Sequence, residues 1–153
     1  TTLVIVSHDL QWLYSISERQ LSVYNGTMFD TGMENVITGP FEKNDNGQTV
    51  KILSSGGKIV LEKPGNGKSI AILRKKHITL DLEKQADHPE LNQVPGLLTA
   101  MMLEQKTGFV LATISCHDLS FVLRVTCEQV SHLSLHPGRQ VVIKFLSKNI
   151  DWV

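Results

Sequence analysis

The chain has 153 residues, with 15 Lys and Arg against 15 Asp and Glu, 41% hydrophobic and 20% charged residues. Zero net charge argues against nucleic acid as the main partner, because neutralising phosphates needs a basic surface. No apolar run approaches the roughly 18 residues of a helical membrane span, and Cys116 and Cys127 make no disulfide framework in a chain this long, which points to a reducing compartment.

Residues 1–32 differ in texture from the rest. The run Leu3-Val4-Ile5-Val6 reads as a strand covered on both faces. Ser7 or Asp9 can cap a helix reaching Ser17, with Leu10, Leu13, Tyr14 and Ser17 on its inner side. A short strand then ends at Tyr24, Asn25-Gly26 supplies a hairpin turn, and residues 27–29 return. No signal peptide is evident, and Thr1 in place of an initiator Met is expected of a fragment or a processed chain.

From 33 to 88 the chain is rich in turn residues. Gly39-Pro40, Asn46-Gly47, Gly56-Gly57 and the Pro64-Gly65-Asn66-Gly67 cluster recur about every ten residues, the spacing of an all-β meander. Its strands are expected at 50–53, 58–61, 69–73 and 77–82, with a glycine-rich hairpin joining the second to the third. Residues 83–90 carry charge and Pro89 and read as a surface linker.

Residues 89–153 carry the clearest pattern. Phe121, Leu123 and Val125 alternate with Val122, Arg124 and Thr126, the period of a half-buried strand. Residues 128–133 can form only a short helix, with Thr126 as N-cap and Gln129 as its capping-box partner. His136-Pro137-Gly138 stops that helix and turns the chain. A second strand follows, with Val141, Ile143 and Phe145 on one side and Val142, Lys144 and Leu146 on the other.

This succession resembles the small TOBE or Mop (molybdate-binding) β-barrel found at the C-terminus of some ABC-transporter ATPases. Leu135, Pro137 and Gly138 fit its L-x-P-G turn, Lys144 with Ser147 approximates its K-x-S strand, and the segment around Asn92 stands where the family has S-x-R-N-x-x-x-G. Residues 1–32 resemble the end of the ATPase domain itself: T-x-L-x-x-V-S-H-D at Thr1–Asp9, Glu18-Arg19 for its D-R, and Tyr24-Asn25-Gly26 for its last hairpin. The fold implied is mainly β, an OB-like Mop-type barrel preceded by a short α/β remnant. Its divisions are 1–32 for the remnant, 33–88 for the first half of the accessory domain and 89–153 for the barrel.

The resemblance also implies function. His8 is the switch histidine that touches the γ-phosphate in the parent ATPase, where ATP and Mg²⁺ belong. Asn92, Thr126, Lys144 and Ser147 match positions that hold molybdate or tungstate by donors alone. Two of the family's donors are missing, since Pro89 and Leu91 stand where it has Ser and Arg. The barrel therefore reads either as an oxyanion site or as a structural and regulatory appendage. On the implied whole, the chain is the C-terminal part of the ATP-binding subunit of an oxyanion importer, cytoplasmic on the inner face of the plasma membrane beside its membrane subunits, and dimeric through the barrel. Gly39-Pro40-Phe41-Glu42 and the Ile150-Asp151-Trp152-Val153 ending look most like the tungstate branch. The alternative is a free-standing Mop-type molybdate or tungstate storage protein.

Three further patterns are set aside. The Gly67-Lys68-Ser69 run lacks the first glycine of a phosphate loop, Glu62 standing in its place, so this chain is not expected to hydrolyse ATP. Cys116, His117, Cys127, His132 and His136 include no C-x-x-C pair, and no metal site is expected. Ser7-His8-Asp9 cannot form a relay from consecutive positions, and Trp12 and Trp152 read as packing residues.

Overall fold

A computed structural model describes residues 3–8, 12–13, 16–17, 19, 21–24, 26–29, 34–62, 64 and 70–153. The chain divides into two compact units, Thr1–Met33 and Glu34–Val153. In the first, strands β1 (Ser22–Tyr24) and β2 (Thr27–Phe29) pair antiparallel across a turn in which Gly26 takes φ 75°. Trp12, Leu13 and Ile16 are helical, and the Ser17 N–H donates to the Leu13 carbonyl at 3.0 Å; Leu10, Tyr14 and Asn25 lie outside the described residues. The strand expected at Leu3–Val6 does not form. Leu3, Val4 and Val6 are 79%, 81% and 90% exposed, because no neighbouring strand among the described residues takes up their backbone groups.

The second unit is built from β3 (Asn35–Thr38), β4 (Glu42–Lys43), β5 (Thr49–Ile52), β6 (Lys58–Leu61), β7 (Ile70–Leu73), β8 (Thr79–Asp81), β9 (Leu91–Leu103), β10 (Val110–Cys116), β11 (Leu119–Val125), α1 (Cys127–His132), β12 (Gln140–Leu146) and β13 (Ile150–Trp152). Local chemistry sets several ends. The Thr126 hydroxyl accepts from the Gln129 N–H at 3.1 Å while the Gln129 side chain accepts from the Thr126 N–H at 2.9 Å, the reciprocal cap that starts α1. Gly138, at φ 93°, turns the chain into β12.

The strands do not form a meander. One sheet runs β11-β10-β9-β12-β8, a second β13-β7-β3 and a third β4-β5-β6. β6 and β7, expected as two arms of a hairpin, therefore lie in different sheets. The segment around Asn92, which carries the resemblance to S-x-R-N-x-x-x-G, is the start of β9, which runs for 13 residues. Proline is rare inside a central strand, yet Pro95 is tolerated there because β9 changes partner. It pairs with β12 from Leu91 to Leu97 and with β10 from Leu97 to Leu103, so Pro95 has no β10 residue opposite it. Gly96 marks the bend: a Cβ there would lie 2.6 Å from both Cys116 Sγ and Ile114 Cγ2.

The unit repeats itself. Asn35 of β3 faces Leu73 of β7 as Asn92 of β9 faces Phe145 of β12. β7 runs through a 3-10 turn at Lys75–His77 into β8, and β12 through a 3-10 turn at Ser147–Asn149 into β13. β5 and β6 correspond to β10 and β11, while β3 and β4 together stand for the single bent β9. The last strands are exchanged, β8 pairing with β12 and β13 with β7. Each half is thus an OB-like five-strand set completed by the other half's final strand. The exchange shares one core: Ile37, Leu73, Leu98, Ile114, Leu123 and Ile143 are all 0% exposed. It also covers the apolar C-terminal strand, since Ile150 and Trp152 are buried and Trp152 Nε1–H donates to the Glu62 carbonyl at 3.0 Å.

Two asparagines close the seams between halves. Asn35 Nδ2 donates to the carbonyls of Val122 at 2.8 Å and Leu73 at 3.2 Å, and its Oδ1 accepts from the Val122 N–H at 2.6 Å. Asn92 Nδ2 donates to the Val60 carbonyl at 2.8 Å and its Oδ1 accepts from the Val60 N–H at 2.7 Å. A side-chain amide has the donor and acceptor of a peptide group, so each asparagine substitutes for a missing strand at the edge of β11 or β6.

Candidate functional site

Register and alternation separate the expected site residues. Asn92 and Phe145 face each other on the core side, so Gln93 and Lys144, the next pair along, project from the outer face. Thr79 of β8 also faces Lys144, giving an outer row Thr79-Lys144-Gln93 across three strands. In the next row Val142 lies between Asp81 and Pro95. Lys144 Nζ reaches diagonally to Asp81 Oδ2 at 2.9 Å.

That contact joins the two halves, Asp81 lying on the exchanged strand and Lys144 on the strand that receives it. The Lys144 side chain is 5% exposed and the Asp81 side chain 44%. Residues 82–90 cross the sheet here as a strap. The Leu82 N–H donates to Asp81 Oδ1 at 2.8 Å, the Gln85 N–H to Gln93 Oε1 at 2.7 Å, and Gln93 Nε2 returns a bond to the Gln85 carbonyl at 3.0 Å. The clasp sits beside Lys144 in its own row. The hydrogen bond from Lys144 is the main cause holding the Asp81 carboxyl below its usual range, with the Leu82 N–H second.

A groove of about 480 Å³ opens next to the strap, lined by Leu82, Pro95, Gly96, Leu97, Ser115, His117, Gln140, Val141 and Val142. Its Val142 and Pro95 belong to the row that contains Asp81. Its lining mixes apolar side chains with the polar Ser115, His117 and Gln140.

The other expected site residues sit elsewhere. Asn92 spends its amide on Val60. Ser147 is buried at the start of its 3-10 turn, where its N–H donates to the Glu90 carbonyl at 2.9 Å. Thr126 caps α1 beyond the end of β11, which lies at the opposite edge of the sheet from β8. His8, in the first unit, is exposed at a bend. The structure therefore keeps Asn92 and Lys144 on one strand pair with Ser147 at the turn that follows, sets Lys144 on the opposite face from Asn92, and leaves Thr126 away from both, while His8 belongs to the other unit. Among the described residues, no three His, Cys, Asp or Glu side chains are grouped to hold a metal ion.

Sequence reasoning missed Asp81, Gln85 and Gln93. The signals were present: Thr79-Leu80-Asp81 and Asn92-Gln93-Val94 each alternate. The repeat was also visible as N-x-[IV]-x-G, at Asn35–Gly39 and again at Asn92–Gly96.

No family model matches the chain, and no curated protein matches it. Among solved structures, the cytoplasmic molybdate-binding protein ModG, with molybdate bound, is similar at 15% identity and a TM-score of 0.56, over 78% of this chain and 91% of that one. At that identity the likeness establishes a shared Mop-type fold, over a share of this chain that its second unit alone would account for.

Proposed function

We propose that Glu34–Val153 binds a tetrahedral oxyanion of the molybdate and tungstate class, with Lys144 supplying the charge, in the manner of a free-standing binding protein. The observation that carries this reading is the buried Lys144 ammonium, one row along the sheet from the Val142 and Pro95 that line an open groove, on a fold shared with a protein whose structure holds molybdate. An ammonium and preorganised N–H donors such as the Gln93 amide suit a dianion stripped of water. With Pro89 and Leu91 in place of two donors, each a charge-assisted bond worth about 1.5–3 kcal/mol, affinity falls on the order of 10²- to 10⁴-fold below a full site. Isothermal titration of the full chain with tungstate, molybdate and sulfate tests the reading; heat from none of the three refutes it.

A second reading places the same barrel in the ATP-binding subunit of an oxyanion importer, cytoplasmic and attached to its membrane partners. It draws on the separate first unit, whose exposed Leu3, Val4, Val6, Val23 and Met28 suit a piece of a larger domain, and on the switch-histidine resemblance at His8. On this reading the chain alone has no ATPase activity; turnover abolished by His8→Ala would refute it. For partners we propose a homodimer through the barrel, where Leu97, Leu103 and Phe109 are exposed. Light scattering that returns a monomer at high micromolar concentration contradicts this.

A further inference from the structure

Lys144 is already occupied. Its ammonium donates to the Asp81 carboxylate from the other half of the molecule, delivered on an exchanged strand and continued by a strap clasped to the neighbouring Gln93. The corresponding place in the first half shows that the fold does not require this pair. There β7 carries Ile72 where β12 carries Lys144, and the exchanged β13 leads to Val153 where β8 ends at Asp81. Ile70 and Val153 make both backbone hydrogen bonds, at 3.2 and 3.0 Å, with no charge in either position. The first exchange has instead an exposed pair, Arg74 Nε to Asp151 Oδ2 at 2.8 Å, so a buried ammonium at the exchanged strand belongs to the second half alone.

We infer that Asp81 is an internal surrogate anion, and that residues 82–90 form a strap that must lift for an oxyanion to reach Lys144. This rests on the proposal that Lys144 holds the oxyanion. The carboxylate oxygen 2.9 Å from Nζ occupies one donor direction of the ammonium, and Gln85 occupies the Gln93 amide that would serve as second donor. The groove borders the row of Val142 and Pro95 that also holds Asp81, and we take it as the side from which a dianion approaches. The dianion displaces the carboxylate into solvent, to which the Asp81 side chain is already 44% exposed. The strap is anchored at its ends, where Leu82 packs against the core and the Glu90 carbonyl accepts from the Ser147 N–H at 2.9 Å; between them the exposed residues are tied to the sheet by the Gln85–Gln93 clasp. Binding is then coupled to release of the strap, and affinity in the resting chain is lowered by the competition.

The test is tungstate titration of the full chain as wild type, Asp81→Asn, and Asp81→Asn with Lys144→Met. Removing the competing charge should tighten binding about ten- to hundredfold, the equivalent of one charge-assisted hydrogen bond, and the double variant should lose it. Equal affinity of wild type and Asp81→Asn overturns the inference and leaves the oxyanion site standing. Absence of binding in both overturns the two together. Because Asp81→Asn leaves a buried ammonium without its counterion, Gln85→Pro provides a second route: it deletes the N–H that Gln93 accepts and keeps the ion pair. Stopped-flow mixing should show faster tungstate association for Gln85→Pro, and an unchanged rate overturns the strap.

Discussion

The two halves of the second unit have one topology and different chemistry at equivalent places. Asn35 and Asn92 do the same work, each standing in for a strand at the other half's open edge. Beyond them the halves diverge. At equivalent positions of the exchanged-strand contact the first half has Ile72 and Val153 with an exposed Arg74–Asp151 pair nearby, the second the buried Lys144 with Asp81; at the 3-10 turns the first has Lys75 and the second Ser147. Lys75 is buried, its N–H donating to a Glu34 carboxylate oxygen at 2.5 Å, and desolvation lowers its pKa against the opposing pull of Glu34. What the fold needs appears in both halves. What appears in one half only is free to serve function.

The largest effect should come from breaking a seam. Asn35→Ala strands the Val122 N–H and two carbonyls in a buried setting, and at about 1–3 kcal/mol for each unsatisfied group the loss should reach about 4 kcal/mol. Asn92→Ala, at a partly buried seam with two bonds, should cost about 2 kcal/mol. Urea unfolding checks both, and equal losses would mean that the seams are equivalent after all. Next come the two bends. Gly96→Ala drives a Cβ to 2.6 Å from Cys116 Sγ and 2.9 Å from the Ser115 carbonyl, whereas a Cβ at Gly39 meets Phe41 at an ordinary 3.5 Å. The first should cost about 1–3 kcal/mol, the second under about 0.5 kcal/mol.

Smaller effects sharpen the site. Thr126→Ala should lose about 1 kcal/mol of helix-cap stability and leave tungstate affinity unchanged, because its hydroxyl serves Gln129. Asp81 has a folded pKa below its unfolded value near 3.9, so its contribution is complete above that value and fades as pH falls through the depressed one. Asp81→Asn should flatten the stability profile there and nowhere else. Last, burial pushes the Cys116 thiol up to about 12 while Cys127 is exposed, so one thiol per native chain should react quickly with a disulfide reagent at neutral pH.

Elements fixed by neighbours in sequence were legible. The Thr126–Gln129 box, the Pro137-Gly138 turn and the alternation of β11 and β12 all rest on local chemistry, and the structure has each of them. The strand exchange was not, because β8 and β13 choose partners more than sixty residues away, which no periodicity encodes. Pro95 hid β9, since proline argues against a central strand unless that strand changes neighbours beside it. At Leu3–Val6 the apolar run gave a sound composition for a buried strand and no means of telling that its neighbours are absent from the described residues. Lys144 was found and its partner was not: the pairing depends on which half supplies the last strand.

Both halves share a fold, and on the proposed function only the second carries the anion-binding charge. Calorimetric titration of the full chain with tungstate, run beside Lys144→Met, tests it most directly. One oxyanion per chain, lost in Lys144→Met, is the predicted result. Two per chain, or binding that survives Lys144→Met, would contradict it.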